Sequence, residues 1–570
     1  MNFLNKKYVV MSILGGYVGL TLIAALLAQD FSISNSLFFL ISSLLFAFGA
    51  SLGKIEYLKS ALFISLVLSS VVVLHCIALN SLIYRDIAVF WGYSVAIVNL
   101  FLIIVAFAKG FLRTCFTLVV GCALFFVPLL FWGYYFAEGS FFNTDAFIAI
   151  TQTNPRESYE YFISHFNFKI LLALLAFVFI LYTVHRLTSK VYFQKGISVG
   201  LAFFTILNIG LFYRTSDNFI TKIKYKIDDY RGFVEGIKQR KEYFNTLRID
   251  KNGAPGLYVL VIGESENKTH MGAYGYERNT TPWLNSMKES PNTVIFENAY
   301  SCHVQTLQAL SYALTAMNQY NSIESNDAVS LIEMANAAGY DTYWISNQNF
   351  FGESETPISI IADAAKSQYF VNGSTKYEIY DNHYDEDILT YLDGITFGDK
   401  ALVIIHLMGN HWFYSERYPK DFDKYGEGTI NSYDNSILYN DHVMERIYKK
   451  LSANHNFKAL VYFSDHSEGV NYGLQHGSSN FIFDMTYIPF YMCFSKSYTE
   501  ENSDIFNRLK SRQKTMFTND LIFNTMLSVM NIKIDNIYEP ENDFAGDSYN
   551  GDTSRFKTVY GKRSISEDTK

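Results

Sequence analysis

The chain has 570 residues, 49% of them hydrophobic and 17% aromatic, with a formal net charge of −8. That charge is unevenly spread: up to Tyr213 there are 12 Lys/Arg against 7 Asp/Glu, a net of +5, and beyond it 34 against 47, a net of −13. So high an apolar content at 18% charged residues excludes a disordered chain, and the lack of a basic face argues against a nucleic-acid binder. The five cysteines, Cys76, Cys115, Cys122, Cys302 and Cys493, offer neither a disulfide framework nor a CxxC metal pair, and the first three lie inside apolar runs.

Apolar runs recur at 8–28, 33–52, 60–80, 88–108, 114–136, 169–185 and 196–213, each near the length a helix needs to cross a bilayer. Lys6 and Lys7 precede the first run as in a signal peptide, but no small-residue cleavage site follows, which predicts a retained helix. With the N-terminus in the cytoplasm, Lys6, Lys7, Lys54, Lys59, Lys109, Arg113, Arg186, Lys190 and Lys195 fall inside and only Arg85, Arg156 and Lys169 outside, as the positive-inside rule expects. Seven crossings of 1–213, with a periplasmic segment at 137–168, then place the rest of the chain outside the cytoplasm. The alternative is that one or two of the runs are interfacial helices. Residues 214–252 read as an amphipathic linker, and 253–570 as a separate soluble domain.

In that domain short β-branched runs at 257–262, 293–297, 342–345, 401–406, 459–463 and 488–494 alternate with helical patterns at 307–317, 330–338, 436–453 and 519–530. This alternation predicts a mostly parallel sheet covered on both faces, with the site at the carboxyl ends of the strands. No internal repeat is visible, and the polar tail after Pro540 is expected to be loosely packed.

Three strands end in residues that an apolar core would not select. "LYVLVIGES" runs into Glu264, "ALVIIHLMGNH" supplies His406 and His411, and "ALVYFSDHSE…LQHG" supplies Asp465, His466 and His476. Each signal is weak alone, since a strand-end His is commonly a hydrogen-bonded structural residue. Together the two carboxylates and imidazole provide ligands suited to Zn²⁺, or less well to Mn²⁺. A fourth strand passes through "SCHVQT" into a helix, with Thr306 at its N-terminus. Thr306 reads either as a simple N-cap or as a nucleophile whose hydroxyl is activated by a metal, and the two roles are compatible.

Glu264, the "SCHVQT" turn, "HLMGNH" and "SDHSE…LQHG" together resemble the phosphoethanolamine transferases of bacterial lipopolysaccharide, sulfatase-like members of the alkaline phosphatase superfamily. The resemblance implies an α-helical transmembrane domain followed by an α/β sulfatase-like domain in the periplasm, anchored in the inner membrane. It implies that Glu264, Thr306, Asp465 and His466 bind zinc, with one or more ions, and that Thr306 becomes phosphoethanolamine-modified. His411 and His476 match positions that contact the phosphoryl group or a second zinc, with His406 a further substrate-binding candidate; Asn347 and Gln348 in "YWISNQ", and Thr153 and Glu157 in "QTNPRE", match positions near the donor. The implied donor is phosphatidylethanolamine and the implied acceptor a lipopolysaccharide or lipooligosaccharide.

Several features depart from the members that modify lipid A. The soluble domain carries only Cys302 and Cys493, Tyr312 stands where a second loop cysteine would be, and Ala149 replaces an asparagine. Scarce cysteine and the "WISNQ" segment are more like the branch that modifies inner-core sugars. A sulfatase proper is set aside, because Cys302–Thr306 contains neither the Pro nor the Arg of its nucleophile loop. The enzymatic alternatives are a phosphoglycerol transferase acting on a glucan or teichoic-type polymer, and a membrane-bound phosphodiesterase. A non-catalytic scaffold would be expected to lose a metal position, and all four are present. Trp412, beside His411, is a candidate platform for an acceptor sugar.

Overall fold

The structure is a computed structural model, and it describes residues 33–52, 55–79, 84–142, 146–147, 150, 155–191, 195–215, 224–225, 227–228, 231–232, 235–240, 253–348, 357–371, 383–532, 534 and 537–569. The packing divides into two units, one formed by Met1–Thr153 with Ser158–Lys226 and the other by Asn154–Glu157 with Ile227–Lys570.

In the first unit the helices are α1 (Ile33–Leu52), α2 (Ile55–Leu79), α3 (Tyr84–Phe107), α4 (Gly110–Glu138), α5 (Pro155–His165), α6 (Phe168–Thr188) and α7 (Lys195–Thr215). All but α5 coincide with apolar runs read from the sequence; the first such run, 8–28, lies outside the described residues. Among the described residues three helical segments, Glu56–Leu74, Gly110–Glu138 and Phe168–Thr188, are long and apolar enough to cross a membrane. Shorter apolar stretches occupy α1, α3 and α7, at Leu37–Ala47, Gly92–Phe107 and Val199–Gly210. Arg113 is buried here, and its guanidinium donates to the carbonyls of Val105, Ser189 and Val191 at 3.0, 2.6 and 2.6 Å, so helix-end oxygens satisfy all three directions of its fork. Asn167 caps α6 by accepting from the Lys169 and Ile170 amides.

In the second unit the strands are β1 (Gly256–Gly263), β2 (Thr293–Phe296), β3 (Ala299–Tyr300), β4 (Asp341–Ser346), β5 (Ser367–Phe370), β6 (Lys400–His406), β7 (Phe457–Ser464), β8 (Phe490–Phe494), β9 (Phe517–Thr518), β10 (Lys557–Thr558) and β11 (Arg563–Ser564). Its helices are α8 (Pro282–Met287), α9 (Thr306–Ala313), α10 (Leu331–Ala337), α11 (Pro357–Asp363), α12 (Ile388–Gly394), α13 (Thr429–Ser452), α14 (Lys496–Glu501), α15 (Ser503–Ser511) and α16 (Ile522–Val529). The main sheet has seven strands in the order β2-β8-β7-β1-β6-β4-β5. It is parallel apart from β8, which runs antiparallel to both β7 and β2.

Every residue of β1 is buried, as its unbroken apolar run requires of a central parallel strand. Tyr258, Leu260 and Ile262 enter one core with Leu310, Met334, Phe523 and Met526. Leu257, Val259 and Val261 enter the other with Tyr433, Ile437, Met444 and Ile447 of α13. The sequence reading missed the edge strand β5, because "SQYF" is four residues long, half-buried and free of any apolar run. The expectation of a loose tail is also corrected: Phe544, Ala545, Phe556 and Ile565 are buried in the first core, and Phe544 packs on Phe296 and Phe517 at ring-centroid distances of 5.2 and 4.9 Å. A few aromatic anchors among polar residues suffice to hold such a segment. At the other end, Ile237 joins the same core and Arg240 donates to Glu333 at 3.2 Å, so 235–240 packs with the second unit.

Register then builds the site. Ile262 of β1 lies opposite His406 of β6, and Gly263 opposite Ser464 of β7. The residues just past three neighbouring strands thus emerge together at the carboxyl edge of the sheet, as expected for this class of fold.

Candidate active site

Glu264, Asp465 and His466 are all buried, and their ligand atoms lie within 4.8 Å of one another. Thr306 is the first residue of α9, and its Oγ1 stands 3.2 and 3.4 Å from the two oxygens of Glu264 and 3.2 Å from Nε2 of His466. His466 Nε2 in turn lies 3.3 Å from Glu264 Oε1 and 3.3 Å from Asp465 Oδ2. These hydroxyl distances are long for O–H···O bonds. They suit a shared ion: ligand atoms about 2.0–2.1 Å from a tetrahedral zinc stand roughly 3.3 Å apart. Asp465 Oδ2 has no hydrogen-bond donor among the described residues, while Oδ1 accepts from the backbone amides of Ser265 and His466 at 3.1 and 2.7 Å. One oxygen fixes the carboxylate and the other is left for a cation. The residues present therefore fit a zinc ion.

The electrostatics lead to the same place. Burial pushes the Asp465 carboxyl up, and the nearby Glu264 charge adds to this. For Glu264 the His466 imidazole, helped by His411 and His476, outweighs burial and holds the carboxyl low. Burial opposes charge on His466, yet Asp465 and Glu264 together raise its pKa to about 10. Two buried carboxylates demand a positive partner, which is either an imidazolium or a metal ion.

Local backbone holds these side chains in place. Ser265 adopts a left-handed conformation with φ 58°, which turns its amide towards Asp465 while its hydroxyl donates to Glu264 Oε1 at 2.8 Å. Gly409, at φ 52°, approaches Glu264 so closely that a Cβ there would lie 2.8 Å from the Glu264 nitrogen. Next to it the Asn410 amide donates to the Glu264 carbonyl at 2.9 Å. The "HLMGNH" loop is thus the seat on which Glu264 rests.

The other sequence-predicted residues divide. His476 joins the cluster, its ring 4.1 Å from that of His466 and its Nδ1 2.9 Å from the buried carboxylate of Glu468. His411 is near enough for its charge to lower the Glu264 pKa. His406 is buried edge-on to Trp344, and burial lowers its pKa to about 4, so it is neutral at physiological pH. The Asn347 amide nitrogen donates to Asp385 at 2.9 Å and to the His383 carbonyl at 3.2 Å, and Gln348 Nε2 donates to the Leu407 carbonyl at 2.9 Å. Thr153 and the side chain of Glu157 lie outside the described residues.

Two contributors were not visible in the sequence. Asp385 is buried and accepts from the Met408 and Gly409 amides, both at 2.8 Å, as well as from Asn347. Asn519 is buried between the 301–305 loop and the end of β7, accepting from the Cys302 amide at 2.8 Å and donating to the Asp465 carbonyl at 2.7 Å. Neither stands in a motif; the only signal is a polar residue beside apolar helical patterns. Cys302 and Cys493 are both buried free thiols.

Residues 257–532 match the sulfatase family. The phosphoethanolamine transferase EptC of Escherichia coli strain K12 is 30% identical over 398 residues, which is 62% of this chain and 68% of the relative. CptA of Salmonella typhimurium, also a phosphoethanolamine transferase, is 26% identical over 396 residues, 62% of this chain and 68% of the relative. The zinc complex of the C-terminal periplasmic domain of E. coli EptC superimposes with a TM-score of 0.50 at 28% identity, covering 55% of this chain and 92% of that domain. The integral membrane lipooligosaccharide phosphoethanolamine transferase A of Neisseria meningitidis shares the fold, with a TM-score of 0.56 at 19% identity over 86% of this chain and 98% of that one. The chain is an enzyme of the phosphoethanolamine transferase family, with helices apolar enough to cross a membrane ahead of a sulfatase domain.

Proposed function

We propose that the enzyme moves phosphoethanolamine from phosphatidylethanolamine to an inner-core sugar or phosphate of lipopolysaccharide by way of Thr306. The observation that carries this reading is the position of the Thr306 hydroxyl, 3.2 Å from both Glu264 and His466 at the start of a helix. Glu264, Asp465, His466 and Thr306 would hold a single zinc, and their separations favour its tetrahedral geometry over the octahedral preference of manganese. When bound, the zinc supplies Lewis-acid polarisation and lowers the pKa of a hydroxyl beside it.

The chain's own groups do the rest. Thr306 Oγ1 attacks phosphorus, the bond to the diacylglycerol oxygen breaks, and that oxygen leaves with a proton. Backbone N–H groups of the first turn of α9 face the phosphoryl oxygens, and His411 and His476 offset the charge that builds on them. An acceptor hydroxyl or phosphate then attacks the same phosphorus from the vacated side and releases Thr306, giving ping-pong kinetics. Glu468 fixes the tautomer and ring direction of His476. Gln348, Thr153 and Glu157 would contact the donor head group, while Asn347, whose amide is engaged by Asp385, would support that pocket from behind.

In this reading residues 1–213 cross the inner membrane seven times, 214–252 form the linker, and 253–570 stand in the periplasm, where a bilayer-bound donor can reach the site. Scarce cysteine and "WISNQ" support an inner-core acceptor over lipid A. Replacing Thr306 by Ala should abolish transfer while metal remains bound; a Thr306→Ala enzyme that still transfers would remove the nucleophile from the account.

A further inference from the structure

The C-terminal tail ends in a short hairpin, β10 paired antiparallel to β11 through Lys557–Ser564 and Thr558–Arg563. Its turn holds three consecutive residues in the left-handed region: Val559 at φ 52°, Tyr560 at φ 54° and Gly561 at φ 76°. Glycine adopts this conformation freely, but a β-branched valine rarely does, so surrounding interactions must hold it there.

Those interactions converge on the loop that carries the nucleophile. The Thr558 hydroxyl donates to the Ser301 carbonyl at 2.8 Å, and the Tyr560 amide donates to the Cys302 carbonyl at 3.3 Å. The Tyr560 hydroxyl donates to the Gln308 carbonyl, in the first turn of α9, at 3.0 Å. Its ring packs on His303 at 4.7 Å and on Tyr312 at 4.4 Å between centroids. Tyr560 therefore touches both sides of Thr306: the loop that enters α9 and the helix that leaves it. On the same hairpin Arg563 lies over the rings of Phe481 and Phe483, in the segment that follows His476. Cys302 is a free thiol, so no covalent staple holds the loop.

We propose that Tyr560 is a positioning residue for the transfer reaction, clamping residues 301–305 and the first turn of α9 so that the Thr306 hydroxyl faces Glu264 and His466. This rests on Thr306 being the nucleophile. The ring, wedged between His303 and Tyr312, does most of the clamping, and the hydroxyl adds one hydrogen bond. The backbone strain at Val559 and Tyr560 is the mark of a turn shaped by the loop it grips.

The test follows the loading of Thr306 by mass spectrometry in the full-length, zinc-loaded enzyme mixed with phosphatidylethanolamine and no acceptor. Tyr560→Ala should slow the loading rate at saturating donor at least tenfold, with the half-saturating donor concentration changed less than about twofold and zinc content as in the wild type. Tyr560→Phe, which keeps the ring, should restore the rate to within about threefold of wild type. A Tyr560→Ala enzyme that loads at the wild-type rate would overturn the proposal. So would a loss of activity matched by loss of folded protein, with the rate per folded molecule unchanged. A wild-type enzyme that never loads would instead strike at the nucleophile assignment, and this inference would fall with it.

Discussion

Asp385 gives the site its most calculable vulnerability. Its carboxylate is buried and accepts three hydrogen bonds, from the Met408 and Gly409 amides at 2.8 Å each and from Asn347 at 2.9 Å. Asp385→Ala takes the acceptor from the buried Met408 and Gly409 amides, at ~1–3 kcal/mol each, and leaves Asn347 its bond to the His383 carbonyl. Against this stands the relief of no longer burying a carboxyl, which burial already pushes up in pKa. A net loss of about 3–5 kcal/mol is the usual result of breaking such a network from one side. In a domain of this size that corresponds to a fall of roughly 5–10 °C in unfolding temperature. The catalytic consequence is distinct, because the released amides belong to the loop on which Glu264 sits. A displacement of order 1 Å there should reduce transfer about 10²-fold even in the folded fraction. Differential scanning fluorimetry with transfer assays on the detergent-solubilised enzyme separates the two effects. An Asp385→Ala enzyme that unfolds within a degree of wild type and transfers at the wild-type rate would refute the idea that this carboxylate supports the loop.

Other expectations follow from the same geometry. His476→Ala removes a ring that packs, tilted, against His466 and bonds to Glu468, so it should lower the transfer rate about 10²-fold without unfolding the domain, as read by paired activity and circular dichroism. Gly409→Ala forces a Cβ to 2.8 Å from the Glu264 nitrogen at a left-handed position, and should lose about 2–4 kcal/mol of stability together with zinc, measured by thermal melts and metal analysis. His406 is buried and neutral, with its pKa lowered from 6.5 to about 4. Its contribution to stability is therefore complete above pH 6.5 and is lost as pH falls towards 4, because the unfolded state takes up the proton first. Between those limits the wild type should lose about 3 kcal/mol more stability than His406→Gln, as read by chemical denaturation at each pH.

The legible part of this protein lay where chemistry interrupts an apolar strand. β1 is apolar until Gly263 and then yields Glu264; β7 is apolar until "SDH". Strand order and parallel register then bring these ends together, so the local pattern was enough to anticipate Glu264, Asp465 and His466 as neighbours. Thr306 was legible in the same way, at the boundary between a turn and a helical pattern. What could not be read were the supports, which come from distant segments: Asp385 lies 121 positions after Glu264 in the chain, and Asn519 lies 217 positions after Cys302. Each is a polar residue whose meaning depends on what the fold places beside it. The tail was misread for a related reason, since Phe544, Phe556 and Ile565 are too sparse to show a period yet each fills a place in the core. In the first unit, hydrophobicity located the helices well, but apolar length alone singles out three membrane-crossing helices among the described residues where seven spans were expected.

The proposed reaction turns on the covalent role of one hydroxyl. The most direct measurement is intact-mass spectrometry of the full-length enzyme purified from membranes and incubated with phosphatidylethanolamine without acceptor, with peptide mapping around residues 301–313. One added phosphoethanolamine is expected, on Thr306, and it should disappear when a core oligosaccharide acceptor is supplied. A zinc-loaded enzyme whose Thr306 stays unmodified while the donor is consumed, or carries phosphoglycerol instead, would contradict it.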